Sequence, residues 1–180
     1  MKVVSIVGMA GSGKSEVAGI FENNGYLKVR FGDITDKEIR KRGLELNEKN
    51  ERYVRQELRE MYGMAAYARL SLPEIDRLLE SADVIVDGLY SWEEYTLLKN
   101  HYGDHVKMVA VWASPETRYE RLSKRAIRPL TMEEAAGRDK AEIENINKGG
   151  PIAMANFMIA NESSLEILEV EVKRILAALK

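Results

Sequence analysis

The chain has 180 residues, 45% of them apolar and 31% charged, enough to bury one sizeable core with little left for a second domain. With 27 Lys and Arg against 29 Asp and Glu the formal charge is -2, which excludes an overall positive field drawing the protein to nucleic acid or anionic lipid; a nucleic-acid role would need a local patch. The absence of Cys excludes disulfides, thiolate nucleophiles and cysteine metal sites, and it fits a reducing compartment.

The first predicted element is a strand, Lys2 to Val7. Its apolar run is followed at once by glycines, with no small-residue cleavage site after a long apolar stretch, so it reads as a strand and not as a signal peptide. A helix is predicted from Lys14 to Asn23, a strand from Leu27 to Phe31, a helix through Lys37 to Arg42, and two longer helices from Glu48 to Tyr62 and Ala65 to Glu80. A strand from Asp83 to Val86 follows, then a helix from Trp92 to Tyr102 with Ser91 as its N-cap. His101 and His105 lie in a polar stretch with Gly103 between them, which reads as a solvated helix end and not a metal site. The strand Val106 to Trp112 precedes a helix from Pro115 to Arg125, where Pro115 behind Ser114 takes the first helical position. Thr131 and Glu134 have capping-box spacing at the head of a helix reaching Ile146. Asn147 to Pro151 reads as a loop, followed by a weaker strand, Phe157 to Ala160, and a helix from Ser163 to Leu179.

Apolar runs without polar alternation indicate strands covered on both faces, as in a parallel sheet. The alternation of strands and helices therefore predicts an α/β fold, a doubly wound sheet with right-handed crossovers, spanning residues 1–180 as one domain. Ligands of such sheets sit outside the carboxyl ends of the strands, so chemistry is expected in the residues just after each strand. No window approaches about 20 uninterrupted apolar residues, so no membrane span is expected, and the cytoplasm is the expected compartment.

Directly after the first strand comes Gly8-Met9-Ala10-Gly11-Ser12-Gly13-Lys14-Ser15, which meets every fixed position of G-x-x-x-x-G-K-[ST]. Glycines let successive N–H groups point at phosphate oxygens, and the helix behind them aims its positive end at the same place. Lys14 then reaches the β- and γ-phosphates, and the Ser15 hydroxyl is a magnesium ligand. A neighbouring strand must supply an acid for the magnesium shell, and Asp87, closing Ala82 to Gly88, is placed to do so. Asp33 follows the second strand at the same edge. It could orient an acceptor hydroxyl or take its proton, and it could equally cap the helix behind it. Arg118, Arg121, Arg125 and Arg128, then Arg138, gather around and behind the fourth strand's helix. Guanidinium groups on a closing segment neutralise transferring phosphate, which makes Arg125 and Arg138 lid cations; the spacing of Arg118, Arg121 and Arg125 also suits a solvated face paired with Glu116 and Glu120.

With these residues the chain resembles the nucleoside monophosphate kinase group of P-loop proteins, particularly dephospho-CoA kinase and an archaeal adenylate kinase-related family. Gly8 to Ser15, Gly32-Asp33, Asp87-Gly88, Ser114-Pro115 with the following arginines, Arg138-Asp139 and Phe157 to Asn161 occur in the group's order. The resemblance implies a five-stranded sheet ordered 2-3-1-4-5, acceptor-binding helices at about 33–80 and a helical lid at about 118–147. It places Arg121 near the adenine, Arg125 and Arg138 on the phosphates, and the loop around Asn161 beside the base.

Two positions depart from that pattern. Asp36 and Tyr90 stand where similar kinases carry arginines for the acceptor's phosphate, which argues against AMP as the acceptor. Arg69, Arg40 and Lys37 are the candidate replacements, and Tyr90 with Trp92 could stack on a flat acceptor or pack under the lid. The expected activity is transfer of the ATP γ-phosphate, with Mg2+, to a nucleotide- or coenzyme-like small molecule. No Asn-Lys-x-Asp guanine signature is present, which favours ATP as donor. The alternatives are a polynucleotide kinase, disfavoured by the charge balance, and an ATP-binding switch or slow ATPase with no acceptor of its own.

Overall fold

The computed structural model describes residues 1–126 and 129–179. Its elements run β1 (Val3–Val7), α1 (Lys14–Asn23), β2 (Leu27–Arg30), α2 (Gly32–Lys41), α3 (Glu48–Tyr62), α4 (Ala66–Leu79), β3 (Val84–Asp87), α5 (Trp92–Tyr102), a 3-10 turn (Gly103–His105), β4 (Val106–Trp112), α6 (Pro115–Ser123), α7 (Met132–Glu144), α8 (Gly149–Ala153), β5 (Phe157–Ala160) and α9 (Leu165–Ala178). The five strands are all parallel and lie in the order β2-β3-β1-β4-β5, as the resemblance implied.

Alternate residues of a strand point to opposite faces, and in the inner strands β1, β3 and β4 both faces are largely buried, which is why those sequences lack regular polar alternation, whereas the edge strand β2 alternates Lys28 and Arg30 outward. Val3 and Val7 of β1 join Val84, Val86, Met108 and Ala110 beneath α2 to α5. Val4 and Ile6 turn the other way, with Ile85, Val109 and Ile159, onto Val17 and Phe21 of α1 and Leu168, Val172 and Ile175 of α9. With every strand parallel, all five carboxyl ends open on one edge. The register sets Ile6 beside Asp87, Val7 beside Ala110, Arg30 beside Asp87, and Trp112 beside Ala160, so the segments that follow these strands share that edge.

The capping signals act as their spacing predicted. Ser91 and Glu94 form a reciprocal capping box on α5, Thr131 and Glu134 form another on α7, and Ser114 caps α6 behind Pro115. His101 ends α5 exposed, with Nε2 3.4 Å from Asp76 Oδ1. Two expectations are corrected. The segment Asn147 to Pro151 is not only a loop: Asn147 takes a left-handed φ of 52°, and Gly149–Ala153 forms α8. Gly150 of that short helix packs against Trp92, where an added Cβ would be 2.6 Å from Cε3. The helix after β2 also starts earlier than expected, at Gly32, with Phe31 as an N-cap that makes no side-chain cap bond. Asp33 is therefore inside the first turn and does not cap it. Among the described residues no helix is long and apolar enough to cross a membrane.

Candidate active site

The loop from Gly8 to Gly13 carries the chain from β1 into α1. Gly13 has a φ of 96°, which an L side chain rarely adopts, and a Cβ there would lie 2.2 Å from Asn161 Nδ2. Asn161, placed by β5, donates from Nδ2 to the Ser12 carbonyl at 2.9 Å. No side chain caps α1, so its leading N–H groups keep their donor capacity for an anion. Lys14 folds back and donates from Nζ to the Met9 carbonyl at 2.9 Å. Ser12 Oγ is buried in the same loop without a hydrogen-bond partner among the described residues. Each of these features suits a loop built for phosphate oxygens.

Asp87 ends β3 next to β1 and is buried, and burial raises its carboxyl above the ordinary range against the opposing pull of Lys14. Burial, reinforced by Lys148, brings the Lys14 ammonium down to about 7. Magnesium is a hard cation that takes oxygen donors and usually enters with phosphate, through one or two carboxylates. Among the described residues no cluster of three or more acidic or imidazole side chains forms a metal cage. The exposed Ser15 hydroxyl and the Asp87 carboxylate are oxygen donors of the kind such an ion uses, so the donor set fits.

Arg118 is the element whose role changes most. Its spacing with Arg121 and Arg125 allowed a shared solvated face, yet Arg118 is 4% exposed. Its guanidinium grips Asp139 of α7 in two bonds of 2.9 and 2.6 Å, and it donates to the Ala10 carbonyl at 3.1 Å and the Ala113 carbonyl at 3.0 Å. One side chain thus ties the phosphate loop, the end of β4 and α7 together. Arg121 is half-buried with Nη1 unpartnered among the described residues, and its charge, after the hydrogen bonds from Thr117 and Ser114, helps to lower the Glu162 carboxyl beside Asn161. Arg125 is exposed beyond the end of α6. Arg128 lies outside the described residues.

Between α3 and α7 opens a cavity of about 750 Å³, lined by Arg52, Arg55 and Arg59 on one side, Arg138 and Glu142 on the other, and Tyr90 at its floor. The phosphate loop does not line it; Arg138 and Glu142 of its lining are also among the charges that act on Lys14. Arg55 is held by Glu48 at 2.7 Å and Glu51 at 3.2 Å, while Arg52 and Arg59 have no ion pair among the described residues. Arg59 Nε is buried without a hydrogen-bond partner among the described residues, and its guanidinium lies 5.5 Å from the centre of the Tyr67 ring. Arg69, by contrast, is exposed on α4 and does not line the cavity, and Arg40 and Lys37 are exposed on α2. Tyr90 packs edge-on to Tyr67 at 5.6 Å. Trp92 is 40% exposed and stacks with Tyr95 outside the cavity.

Asp33 and Asp36 share one cation, Arg30, whose Nη1 donates to Asp33 Oδ1 at 2.8 Å and Asp36 Oδ2 at 3.1 Å. Arg30 went unnoticed in the sequence because only the turn into α2 brings it over both carboxylates. Lys148 and the α3 arginines were also missed. The i, i+3, i+7 spacing of Arg52, Arg55 and Arg59 was a readable signal of one helix face.

Residues 4–146 match the model of the family described as AAA domain. A UPF0200 protein of Thermococcus kodakarensis is 38% identical over 177 residues, covering 96% of this chain and 95% of the relative. Among solved structures, a shikimate kinase from Bacteroides thetaiotaomicron is 13% identical with a TM-score of 0.63, covering 99% of this chain and 98% of its own. A dephospho-CoA kinase from Campylobacter jejuni is 14% identical with a TM-score of 0.58, covering 99% and 97%. At these identities the two kinases show a shared fold, the P-loop kinase-like sheet with its helices. The family match and the T. kodakarensis relative together show that the chain belongs to the AAA domain family of P-loop proteins, as a member of the UPF0200 proteins.

Proposed function

We propose that the protein is a kinase that transfers the γ-phosphate of ATP to the hydroxyl of a small molecule bound between α3 and α7. One observation carries this reading: beside a phosphate loop built to the full motif the protein has a separate cavity of about 750 Å³, and Arg138 and Glu142 of its lining are also among the charges that act on Lys14. A switch or simple ATPase needs only water as acceptor and has no use for such a space.

In this reading the backbone N–H groups from Gly8 to Ser15 and the Lys14 ammonium hold the triphosphate, and the negative phosphates restore the charge that burial disfavours on Lys14. Ser15 and Asp87 hold magnesium, which when bound neutralises charge on the phosphate oxygens. Arg138 faces the transferring group from α7, Arg125 serves the lid, and Arg121 with Asn161 borders the base. Only Oδ1 of Asp33 is taken by Arg30, which leaves Oδ2 for the acceptor hydroxyl. As the hydroxyl oxygen bonds to the γ-phosphorus, the bond to the β–γ bridging oxygen breaks, ADP leaves, and the hydroxyl proton passes to the Asp33 carboxylate. Arg52 and Arg59, and not Arg69, are the cations offered to the acceptor. The test is phosphorus NMR of products from ATP with AMP, CMP, UMP, dephospho-CoA and shikimate-like alcohols. A new phosphoester supports the kinase reading, while inorganic phosphate as the sole product with every acceptor refutes it.

A further inference from the structure

Lys148 lies between α7 and α8, just after the left-handed Asn147, and it is 1% exposed. Its Nζ donates to Glu142 Oε2 at 2.7 Å and stands 5.2 Å from the centre of the Tyr90 ring. Its backbone N–H donates to the Glu142 carbonyl at 3.2 Å. The other Glu142 oxygen, Oε1, accepts from Arg138 Nε at 3.1 Å. One carboxylate therefore serves two cations. Burial opposes ionisation of Glu142, yet Lys148 and Arg138 override it and hold its carboxyl at about 2.

This cluster reaches the phosphate loop. Tyr90 folds its hydroxyl back over Gly88, where an added Cβ would lie 3.0 Å from it, and Gly88 follows Asp87 at the end of β3. Lys148, Glu142, Asp87 and Arg138 are the charges that act on Lys14. Two further cations, Lys148 and Arg138, and two carboxylates, Glu142 and Asp87, thus lie within electrostatic range of Lys14, and the proposed function assigns Asp87 to magnesium. A fully buried lysine is rare unless an anion demands it, and replacing a buried ion pair with apolar groups is often neutral or stabilising. Glu142 already has Arg138 as partner, so packing alone gives no reason for a second cation.

We infer that Lys148 is a catalytic residue that binds the γ-phosphate of the nucleotide, exchanging Glu142 for a phosphate oxygen, so that triphosphate is told from diphosphate through this lysine. The inference rests on the ATP-site reading above and adds a ligand from outside the phosphate loop. A γ-phosphate offers Lys148 and Arg138 the negative charge that Glu142 now supplies, and it is the only part of ATP that ADP lacks.

The test is calorimetric titration of the full chain, with magnesium, using ADP and a non-hydrolysable β,γ-imido ATP analogue. Lys148→Met should weaken the triphosphate about 10- to 100-fold and leave ADP within about threefold, the size of one charge-assisted bond to phosphate. Lys148→Arg should restore most of the preference. Because Lys148→Met strands part of the Glu142 charge, Lys148→Met with Glu142→Gln removes both and should lose the triphosphate preference in the same way. Equal losses for both nucleotides, or a wild-type preference kept in the double variant, overturn the inference while leaving the ATP site standing. Binding of neither nucleotide by the wild type overturns the ATP-site reading and the inference together.

Discussion

Asp139→Ala isolates the strut that joins the phosphate loop to α7. In the wild type both Asp139 oxygens are bound by Arg118, and Oδ2 also accepts from the Tyr119 hydroxyl at 2.9 Å. The two side chains are 5% and 11% exposed, so water replaces the lost carboxylate poorly. Truncation leaves a buried guanidinium with only the Ala10 and Ala113 carbonyls. Breaking one partner out of a buried pair costs about 3 to 5 kcal/mol, and the orphaned tyrosine hydroxyl adds about 1 kcal/mol at most. At about 2 to 4 °C per kcal/mol for a chain of this size, the melting temperature should fall by about 6 to 24 °C. Scanning calorimetry measures it directly. The companion variant, Arg118→Met with Asp139→Leu, replaces charge with apolar volume and should recover much of the loss. If Asp139→Ala melts within about 2 °C of wild type, the pair is not the strut described. A double variant no better than the single one would show that Arg118 acts through the two carbonyls instead.

Lys14→Ala should abolish productive binding of magnesium-ATP in calorimetry; affinity within about threefold of wild type would refute the phosphate-loop assignment. Asp87→Asn keeps the volume without the charge, so the fold should persist while the magnesium dependence of turnover weakens, and an unchanged magnesium titration would point to another carboxylate. Glu94 is buried at the head of α5, and burial raises its carboxyl from 4.5 to about 7 against the Tyr90 and Ser91 backbone N–H bonds. The folded protein therefore binds this proton more tightly than the unfolded chain, and the contribution present below 4.5 is lost as pH rises through about 7. Urea unfolding across that window should show a falling stability in wild type relative to Glu94→Gln, and parallel curves would contradict the assignment.

The parts of the site legible in the sequence are those whose partners are close along the chain. The phosphate loop needs only eight consecutive residues between a strand and a helix, and the caps at Ser91 and Thr131 close over three residues. The partner of Arg118 was not legible because helical spacing says which residues share a face and not what that face meets; Asp139 is 21 positions away. Lys148 escaped for a related reason. Gly149-Gly150-Pro151 has the composition of a turn, while the helix it forms packs Gly150 against Trp92 and the lysine before it pairs with Glu142, six positions back. Arg69 was proposed from its charge, but the face of α4 that meets the core is carried by Ala66, Tyr67, Ser71 and Ile75, which leaves Arg69 outside.

The bond from Asn161 to Ser12 spans 149 positions. The phosphate loop is encoded between β1 and α1, yet its far wall arrives with β5. During synthesis the loop therefore waits for 149 further residues before its cradle is closed. On the proposed ATP-site reading, nucleotide binding reports on folding through β5: a nascent or truncated chain that stops short of β5 has the motif but not the wall, and ligand stabilises it less than the chain that includes β5.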